Sequence, residues 1–357
     1  TLANLAQTYS GSALAATSTT VPSGLAVSYT YTGTAGTTYA TSATAPTAVG
    51  SYTVQASVSD GTYTASTSGT LVISKANQST VSVNNAATLV YGSTLALTAS
   101  GGSGSASGYT FTKVSGPCTI SGTTLSTTAA GDCIYNAYKA GDANYNQSAT
   151  SANFTTTITP KPLTLAVTVS PTTRAYDTTN VVTLATTTAS NLSGLINSDV
   201  VTVDNTKLSA TISTPDVGTN KAVTVAVATG YLTGTNAANY QLPTISGSPV
   251  ITITQASQAS ITFTSALTTM FTQNITLSAT GGSGTGALTF ATSSGACQIA
   301  SSIMTPVGAG SCVVVATRAA DTNYTAQTAS QTISIAYADQ AAVSMTSATT
   351  VEYGTNL

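Results

Sequence analysis

The sequence predicts an all-β protein in which β-sandwich domains follow one another in tandem and form a rod. Three observations support this prediction: apolar residues alternate with Thr and Ser in short runs, turn residues separate these runs, and long segments of the chain repeat. A period of two places successive side chains on opposite faces of a strand, so that one face is buried. No long amphipathic helix is expected, because Thr and Ser interrupt the Ala-containing stretches.

The alternating runs are spread over the whole chain, with the clearest at 52–59, 163–170, 200–205, 222–228 and 334–338. They are rich in Val, Ile, Thr and Tyr, and clusters of Gly, Pro, Asn and Asp bound them. Half-buried antiparallel strands have this pattern. Many short strands with turns between them are typical of a sandwich of two packed sheets.

Repeats divide the chain into domains. Residues 77–160 align with residues 256–337, and both copies contain the sequence GGSG. The last residues resemble the beginning of the same unit, and different sequences fill the other segments. We therefore predict five domains, the last of them incomplete: 1–76, 77–160, 161–255, 256–337 and 338–357. Only a few residues link them, and short linkers between β domains restrict hinge motion.

Composition excludes several functions. The 357 residues include 8 basic and 10 acidic side chains and no His. So few cations cannot form a nucleic-acid-binding surface. Catalysis by imidazole and His-ligated zinc are excluded as well. The carboxylates are scattered and mostly stand in turns, so neither a glycosidase pair nor a calcium loop is expected. We expect no enzymatic activity, no cofactor and no metal.

Four cysteines form two pairs with the same spacing. Fourteen residues lie between Cys118 and Cys133, and fourteen between Cys297 and Cys312. Repeated pairs in a strand-rich chain favour local disulfides, with free core thiols or a metal site as alternatives. Disulfides indicate an oxidising compartment, and no apolar run reaches the roughly 18 residues of a membrane-spanning helix. We predict an extracellular or cell-surface location.

These segments resemble immunoglobulin-like modules of bacterial extracellular proteins. Residues 1–76, with QTYSG, TAPTAVGSYTV and GTLVISKA, resemble an MBG domain, and residues 161–255, with AYDTT, DVVTV and AANYQL, resemble a YDG domain. The segments 115–145 and 294–324 resemble a disulfide-bearing immunoglobulin-like repeat. The resemblance implies large surface proteins such as filamentous-haemagglutinin-type exoproteins and giant adhesins, in which such modules form stalks or filaments.

A structural role is therefore the expected function: a stalk or filament-forming segment of a secreted or cell-surface bacterial protein. The net charge of −2 permits close association between copies. Thr and Ser occupy strand faces where charged residues usually prevent edge pairing. The expected partners are further copies of the protein or the continuation of a longer chain. Residues 338–357 would either continue in that chain or donate a strand to a neighbour.

The alternative function is a module that binds a glycan or a host protein. It requires an exposed aromatic cluster in one repeat. Tyr29 and Tyr31 are the candidates, because they are two positions apart and share a strand face. The competing interpretation places both in the hydrophobic core.

Other aromatic residues recur at one register in every repeat, which favours a structural role for them. One set follows an early strand: Tyr9, Tyr91, Tyr176, Tyr353 and, in the equivalent place, Phe271. A second set ends the DANY and DTNY sequences at Tyr145 and Tyr324, where we expect a buried tyrosine that closes a loop. The GGSG sequences at 101–104 and 281–284 lack the Lys and the helix of a phosphate-binding loop, and we predict turns.

Overall fold

The computed structural model describes residues 1–196 and 198–340. These residues form strands joined by turns, and their only helices are short 3-10 segments at Ala189–Asn191, Asn205–Lys207 and Ala237–Asn239. The prediction of an all-β immunoglobulin-like fold is confirmed. The predicted fifth domain, 338–357, lies outside the described residues except for its first three positions.

Strand pairing groups the described strands into four modules, and internal contacts divide the chain into two compact units. The first unit contains residues 1–164, 192–203 and 232–243, and the second contains 165–191, 204–231 and the residues from 244 on. The first and second modules lie in the first unit and the fourth module lies in the second. The strands of the third module are divided between the two units.

The first module shows how alternation produces a core. Its strands are β1 (Leu2–Ala3), β2 (Ala6–Thr8), β3 (Thr17–Ser18), β4 (Ser28–Thr34), β5 (Gly50–Ser59) and β6 (Thr64–Ser74). A four-stranded sheet has the order β2-β6-β5-β4. On β5, Tyr52, Val54 and Ala56 are buried while the residues between them are exposed. The buried face packs on Ala16, Leu71 and neighbouring apolar side chains.

The second module has two facing sheets joined by a disulfide. Its strands are β7 (Val81–Val83), β8 (Thr88–Val90), β9 (Thr94–Ala96), β10 (Ala99–Gly101), β11 (Thr110–Ser115), β12 (Cys118–Ser121), β13 (Thr124–Thr127), β14 (Gly131–Tyr138) and β15 (Phe154–Thr159). The two larger sheets have the orders β11-β14-β15-β8 and β12-β13-β9, and β10 pairs with β7. Cys118 on β12 bonds to Cys133 on β14, so the disulfide crosses from one sheet to the other.

The fourth module repeats this layout, as its sequence repeats the second. Its strands are β26 (Ile261–Phe263), β27 (Thr268–Met270), β28 (Ile275–Thr276), β29 (Ala279–Gly281), β30 (Leu288–Gly295), β31 (Cys297–Ala300), β32 (Ile303–Pro306), β33 (Gly310–Arg318) and β34 (Gln327–Ala336). The two larger sheets have the orders β27-β34-β33-β30 and β28-β32-β31, and β26 pairs with β29. Cys297 and Cys312 again join the two sheets.

The third module is less regular and contains all three 3-10 segments. Its strands are β16 (Thr164–Ala166), β17 (Thr173–Ala175), β18 (Leu192–Ser193), β19 (Thr202–Val203), β20 (Leu208–Thr211), β21 (Gly218–Ala222), β22 (Thr224–Val227), β23 (Leu232–Thr233), β24 (Thr244–Ser246) and β25 (Val250–Thr254). Within the second unit, β17, β25 and β21 form a sheet beside the β20–β22 hairpin. Val169, Ile212, Ile251 and Ile253 are buried in the core between them.

One early strand of each module pairs in parallel with the last strand, although the sequence predicts antiparallel strands. The parallel pairs are β2 with β6, β8 with β15, β17 with β25 and β27 with β34. Side-chain alternation determines which face of a strand is buried, but it carries no information about the direction of the partner. Because both strands of the pair run the same way, the chain enters a module at one end and leaves at the other. We call these ends the entry pole and the exit pole.

Candidate functional site: the junctions between modules

The two tyrosines predicted as a binding platform require a correction. Both lie on β4, but Tyr31 is only 1% exposed, and its hydroxyl accepts the Ala16 N–H at 3.2 Å. Tyr29 packs against the same core, and its hydroxyl is bonded to Ser18 at 2.6 Å. The shared face of β4 points into the module. These rings therefore form no exposed aromatic surface.

The first recurring aromatic set lies at the exit poles. Each of its residues follows the early strand of the parallel pair, and its N–H donates to a carbonyl at the end of the last strand. The bonds, all 2.9 Å, are Tyr9 to Ser74, Tyr91 to Thr159, Tyr176 to Thr254 and Phe271 to Ala336. The backbone therefore places these four aromatic residues in the same way.

The second recurring set lies at the entry poles, in turns that an Asp side chain shapes. Asp142 Oδ1 accepts the N–H groups of Asn144 and Tyr145, both at 2.9 Å. Asp321 holds Asn323 and Tyr324 with the same bonds and distances. An Asx turn of this kind explains why Asp stands three residues before each tyrosine.

The second oxygen of the turn aspartate holds the GGSG loop. Asp142 Oδ2 accepts both the N–H and the hydroxyl of Ser105. These bonds, with that of Ser105 N–H the strongest influence, lower the pKa of Asp142 to about 2. Gly104 has a φ of +80°, and a Cβ there would collide with the Asp142 carboxylate. The predicted turn is thus a glycine loop that accommodates a carboxylate.

At every described junction, a ring of the first set meets a tyrosine that follows an Asn: a member of the second set at the first and third junctions, and Tyr240, which the sequence analysis did not single out, at the second. Tyr9 of the first module contacts Tyr145 of the second edge-to-face, with ring centroids 5.3 Å apart. The other two pairs are Tyr91 with Tyr240 at 5.7 Å and Tyr176 with Tyr324 at 5.4 Å. Each such pair contributes about 0.5–1.5 kcal/mol beyond the burial of its area. The sequence predicts structural tyrosines, but it does not show that the two sets contact each other.

The Asn before each of these tyrosines also binds the preceding module. Its side-chain Oδ1 accepts a backbone N–H of a residue that stands directly before a glycine. The pairs are Asn144 with Val49 at 3.2 Å, Asn239 with Ala130 at 2.9 Å and Asn323 with Val217 at 3.0 Å. The dipeptides Asn-Tyr and Val-Gly or Ala-Gly recur along the chain, and this recurrence is the signal in the sequence for the contact, although the repeats alone did not predict it.

A linker residue completes each junction by pairing its backbone with the Asn-Tyr turn. Ala76 donates to the Asn144 carbonyl at 3.0 Å and accepts from the Asn146 N–H at 2.8 Å. Lys161 and Ala256 make the equivalent pairs of bonds at the second and third junctions. We call the whole set the junction clamp: the exit-pole aromatic ring, the N–H before glycine, the linker residue and the Asn-Tyr turn.

The second junction adds a shared carboxylate beneath its rings. The Tyr91 and Tyr240 hydroxyls both donate to Asp199, and the Tyr240 hydroxyl accepts the Ile196 N–H at 3.0 Å. Burial, followed by the bond to Asp199, raises the pKa of Tyr240 to about 12. Burial also raises the pKa of Tyr91. The hydroxyls therefore stay protonated as donors to the carboxylate.

Within residues 1–196 and 198–340, no three His, Cys, Asp or Glu side chains come together to bind a metal ion. No helix in this part of the chain has the length and apolar character needed to cross a membrane. A groove of about 270 Å³ opens in the first module, and its lining includes Leu25, Val58 and Tyr63.

Two segments of the chain match known protein families. The MBG domain model matches residues 1–77, and the YDG domain model matches residues 159–247. No curated protein sequence matches the chain.

Three solved structures illustrate the structural similarities. Drosophila N-cadherin EC1-4 has 7% identity and a TM-score of 0.26, with 94% of this chain and 98% of that chain covered. Sidekick-1 immunoglobulin domains 1-5 has 12% identity and a TM-score of 0.27, with 95% of this chain and 81% of that chain covered. Mouse protocadherin-24 EC1-3 has 10% identity and a TM-score of 0.24, with 93% of this chain and 96% of that chain covered. Since these TM-scores are below 0.5, the fold assignment rests on the strands and sheets. The chain is a tandem series of immunoglobulin-like repeats with one segment similar to the MBG domain and one similar to the YDG domain.

Proposed function

We propose that this chain is a structural segment of an extracellular stalk or filament, in which junction clamps fix successive modules to one another. The observation that carries the proposal is that the same clamp occurs at all three described junctions. Because the contact recurs between modules of different sequence, we infer that this segment serves to hold its modules in a fixed connection.

The clamp is suited to resist bending and extension. At the first junction, Ala76 pairs with the turn through two backbone hydrogen bonds, Asn144 bonds to Val49, and Tyr145 packs on Tyr9. Each neutral hydrogen bond contributes about 0.5–1.5 kcal/mol. A hinge motion at this junction has to break these contacts together. Within the second and fourth modules, the disulfides hold the two sheets in the same way.

The composition supports an extracellular assembly. Two disulfides point to an oxidising compartment. Strand residues that face solvent are largely Thr and Ser, for example Thr67, Ser68 and Thr70 on β6. Such a face offers hydroxyl groups to a neighbouring copy and little charge to repel it. Lateral association of copies is therefore part of the proposal.

The glycan-binding alternative loses its sequence basis, since Tyr31 is buried and Tyr29 packs against the core. No catalytic role is proposed either. The MBG and YDG models and the immunoglobulin-like fold are those of structural and adhesion modules.

Electron microscopy of the purified chain tests the structural role. We expect class averages in which the first and second modules keep one angle. The variant Asn144→Ala/Tyr145→Ala, which removes two clamp contacts, should show a broad range of angles. Val114→Ala, an exposed change on β11, is the matched control. An equally broad range in the wild-type protein would contradict the proposal. Continuous fibres in native material would support a filament, whereas separate rods would support a stalk.

A further inference from the structure

The turns that dock on the exit poles are of two kinds. At the first junction, Asp142 shapes the turn by accepting the N–H groups of Asn144 and Tyr145, and Asp321 shapes the turn of the third junction in the same way. At the second junction, the 3-10 segment Ala237–Asn239 forms the turn. Each exit pole therefore faces one kind of turn, and its own residues differ accordingly.

The exit pole of the second module has a glycine directly after its aromatic residue. Gly92 has a φ of +83°, and a Cβ at this position would lie 2.6 Å from Cδ1 of Ile196 in the third module. The end of the Ile196 side chain therefore fills space that is free only because position 92 has no side chain. Ser10 and Asp177 follow the aromatic residues of the first and third modules, so both of these poles carry a Cβ at the corresponding position in the sequence.

The hydroxyl of the aromatic residue adds a polar part to the same contact. The Tyr91 hydroxyl lies 3.1 Å from each carboxylate oxygen of Asp199, to which it donates, and Asp199 stands three residues after Ile196 in the third module. Within residues 1–196 and 198–340, the hydroxyls of Tyr9 and Tyr176 have no hydrogen-bond partner. A hydroxyl on the exit-pole ring is thus part of the contact only where the third module docks.

The first and third junctions have a different polar contact, made by the residue directly before the linker residue. Lys75 Nζ donates to the Asp142 carbonyl at 2.6 Å, and Gln255 Nε2 donates to the Asp321 carbonyl at 2.7 Å. Both acceptors belong to the aspartates that shape the docked turns. Pro160 stands at the corresponding position of the second junction, and its side chain has no donor. The two kinds of exit pole therefore differ at two places, and each difference suits the turn docked there.

We propose that the exit poles select which kind of module follows them. The glycine and the tyrosine hydroxyl of the second module accept a module of the third kind, and the donors Lys75 and Gln255 accept a module with an Asp turn. An Asp turn docked on the second module would leave the Tyr91 hydroxyl without Asp199 and would find no donor at Pro160. Lost hydrogen bonds of this kind cost stability. The second module therefore excludes a following module of its own kind. This inference rests on the proposed structural function and names what determines the order of modules within it.

A double-mutant cycle in the full chain tests the contact at Gly92. Asn adopts a left-handed backbone more readily than most residues, so Gly92→Asn adds bulk with little backbone strain. Amide hydrogen exchange is the measurement, at Ala130, whose N–H bonds to Asn239 across the junction, and at position 196. Exchange should accelerate by about tenfold, because extra atoms forced into a packed contact are destabilising. In an Ile196→Ala background, the same substitution should have a much smaller effect.

Gly11→Asn is the matched control for backbone strain. Gly11 has a φ of +80° beside the exit pole of the first module, and no atom lies within 4 Å of a Cβ built there. The substitution should leave exchange unchanged at Val49, whose N–H bonds to Asn144.

The donor at the first junction is tested at the same amide. Lys75→Ala should accelerate exchange at Val49 by about twofold to tenfold, the range expected for one lost hydrogen bond. Lys75→Gln should retain the protection, because Gln255 makes the equivalent bond at the third junction.

The outcomes separate this inference from the proposed function. Selection is overturned if Gly92→Asn leaves exchange at Ala130 unchanged, if it acts equally with and without Ile196→Ala, or if Lys75→Gln is as harmful as Lys75→Ala. In each of these cases the proposed function stands, provided that Val49 and Ala130 are protected in the wild-type protein. Unprotected amides at both positions in the wild type would contradict the junction clamp, and the proposed function with it. Unchanged thermal unfolding of the variants would show that the modules remain folded.

Discussion

The first and second junctions reach the same geometry by different chemistry. At the first, Asp142 shapes the turn by accepting the N–H groups of Asn144 and Tyr145, and the rings of Tyr9 and Tyr145 meet edge-to-face. At the second, the 3-10 segment Ala237–Asn239 forms the turn, and the carboxylate of Asp199 lies under the rings.

The common outcome is an Asn oxygen and a Tyr ring placed on the exit pole of the preceding module. Because two unrelated turns deliver these groups, the junction depends on where the groups lie rather than on how the turn is stabilised. The difference should appear in the response to mutation and pH. The first junction depends on an ionised carboxylate in the turn, and the second on neutral tyrosine hydroxyls over a carboxylate.

The largest expected effect comes from the disulfide of the module that both junctions share. Cys118→Ala/Cys133→Ala should lower the free energy of unfolding of the second module by about 3 kcal/mol, since the disulfide joins cysteines at a sequence separation of 15 and so restricts the unfolded chain. In calorimetry of the full chain, the unfolding transition of the second module should move to lower temperature, and the contacts at both junctions should weaken with it. Cys297→Ala/Cys312→Ala is the control, because it should move a different transition. An identical calorimetric trace for the two variants would contradict this expectation.

A smaller effect distinguishes the two ring pairs. Tyr240→Phe removes a donor to Asp199 and the acceptor of the Ile196 N–H, and should cost about 1–3 kcal/mol. Tyr145→Phe should change little, as the Tyr145 hydroxyl has no hydrogen-bond partner among the described residues. Native-state hydrogen exchange at Ile196 is the measurement, and exchange should accelerate in Tyr240→Phe alone. Equal effects of the two substitutions would show that the hydroxyls are interchangeable.

The raised pKa of Tyr240 gives this prediction a second readout. Its stabilising contribution is fully present below the usual tyrosine pKa of 10.0 and is lost as the pH rises through about 12. The second junction should therefore weaken in strong alkali, and Tyr240→Phe should remove this part of the pH dependence.

The smallest effect is the response of the first junction to acid. Because hydrogen bonds hold the pKa of Asp142 at about 2, below its usual 3.8, its contribution is present above pH 3.8 and is lost as the pH falls through 2. Asp142→Asn should make the stability of this turn independent of pH in that range. Amide exchange or NMR shifts of Asn144 and Tyr145 would report it. An acid response in Asp142→Asn equal to that of the wild type would contradict the assignment.

Much of the fold follows from local patterns. The alternation in 52–59 predicts that one face of this strand is buried, and the structure buries the face that carries Tyr52, Val54 and Ala56. The matching cysteine spacings predict a bond within each repeat, and the structure contains both bonds. The same reasoning fails at Tyr31, because a period of two shows that Tyr29 and Tyr31 share a face but not which way that face points.

The junctions were only partly predictable. Recurrence indicates that Tyr91 and Tyr145 are structural, and the dipeptides Asn-Tyr and Ala-Gly recur with them in the repeats. That Tyr9 meets Tyr145, or that Tyr91 and Tyr240 share Asp199, depends on residues far apart in the chain. The alternation within a strand gives no information about contacts between such distant residues.

Residue order alone specifies the strands, their buried faces, the cysteine pairs and the turns, because each depends on neighbours within a few positions. The tertiary structure decides the parallel pairing of β8 with β15, the passage of each disulfide between sheets and the partners of each tyrosine. The physical reason is that strand direction and chain path bring the end of one module to the beginning of the next. Contacts made there depend on the packing of whole sheets and not on the alternation within any strand.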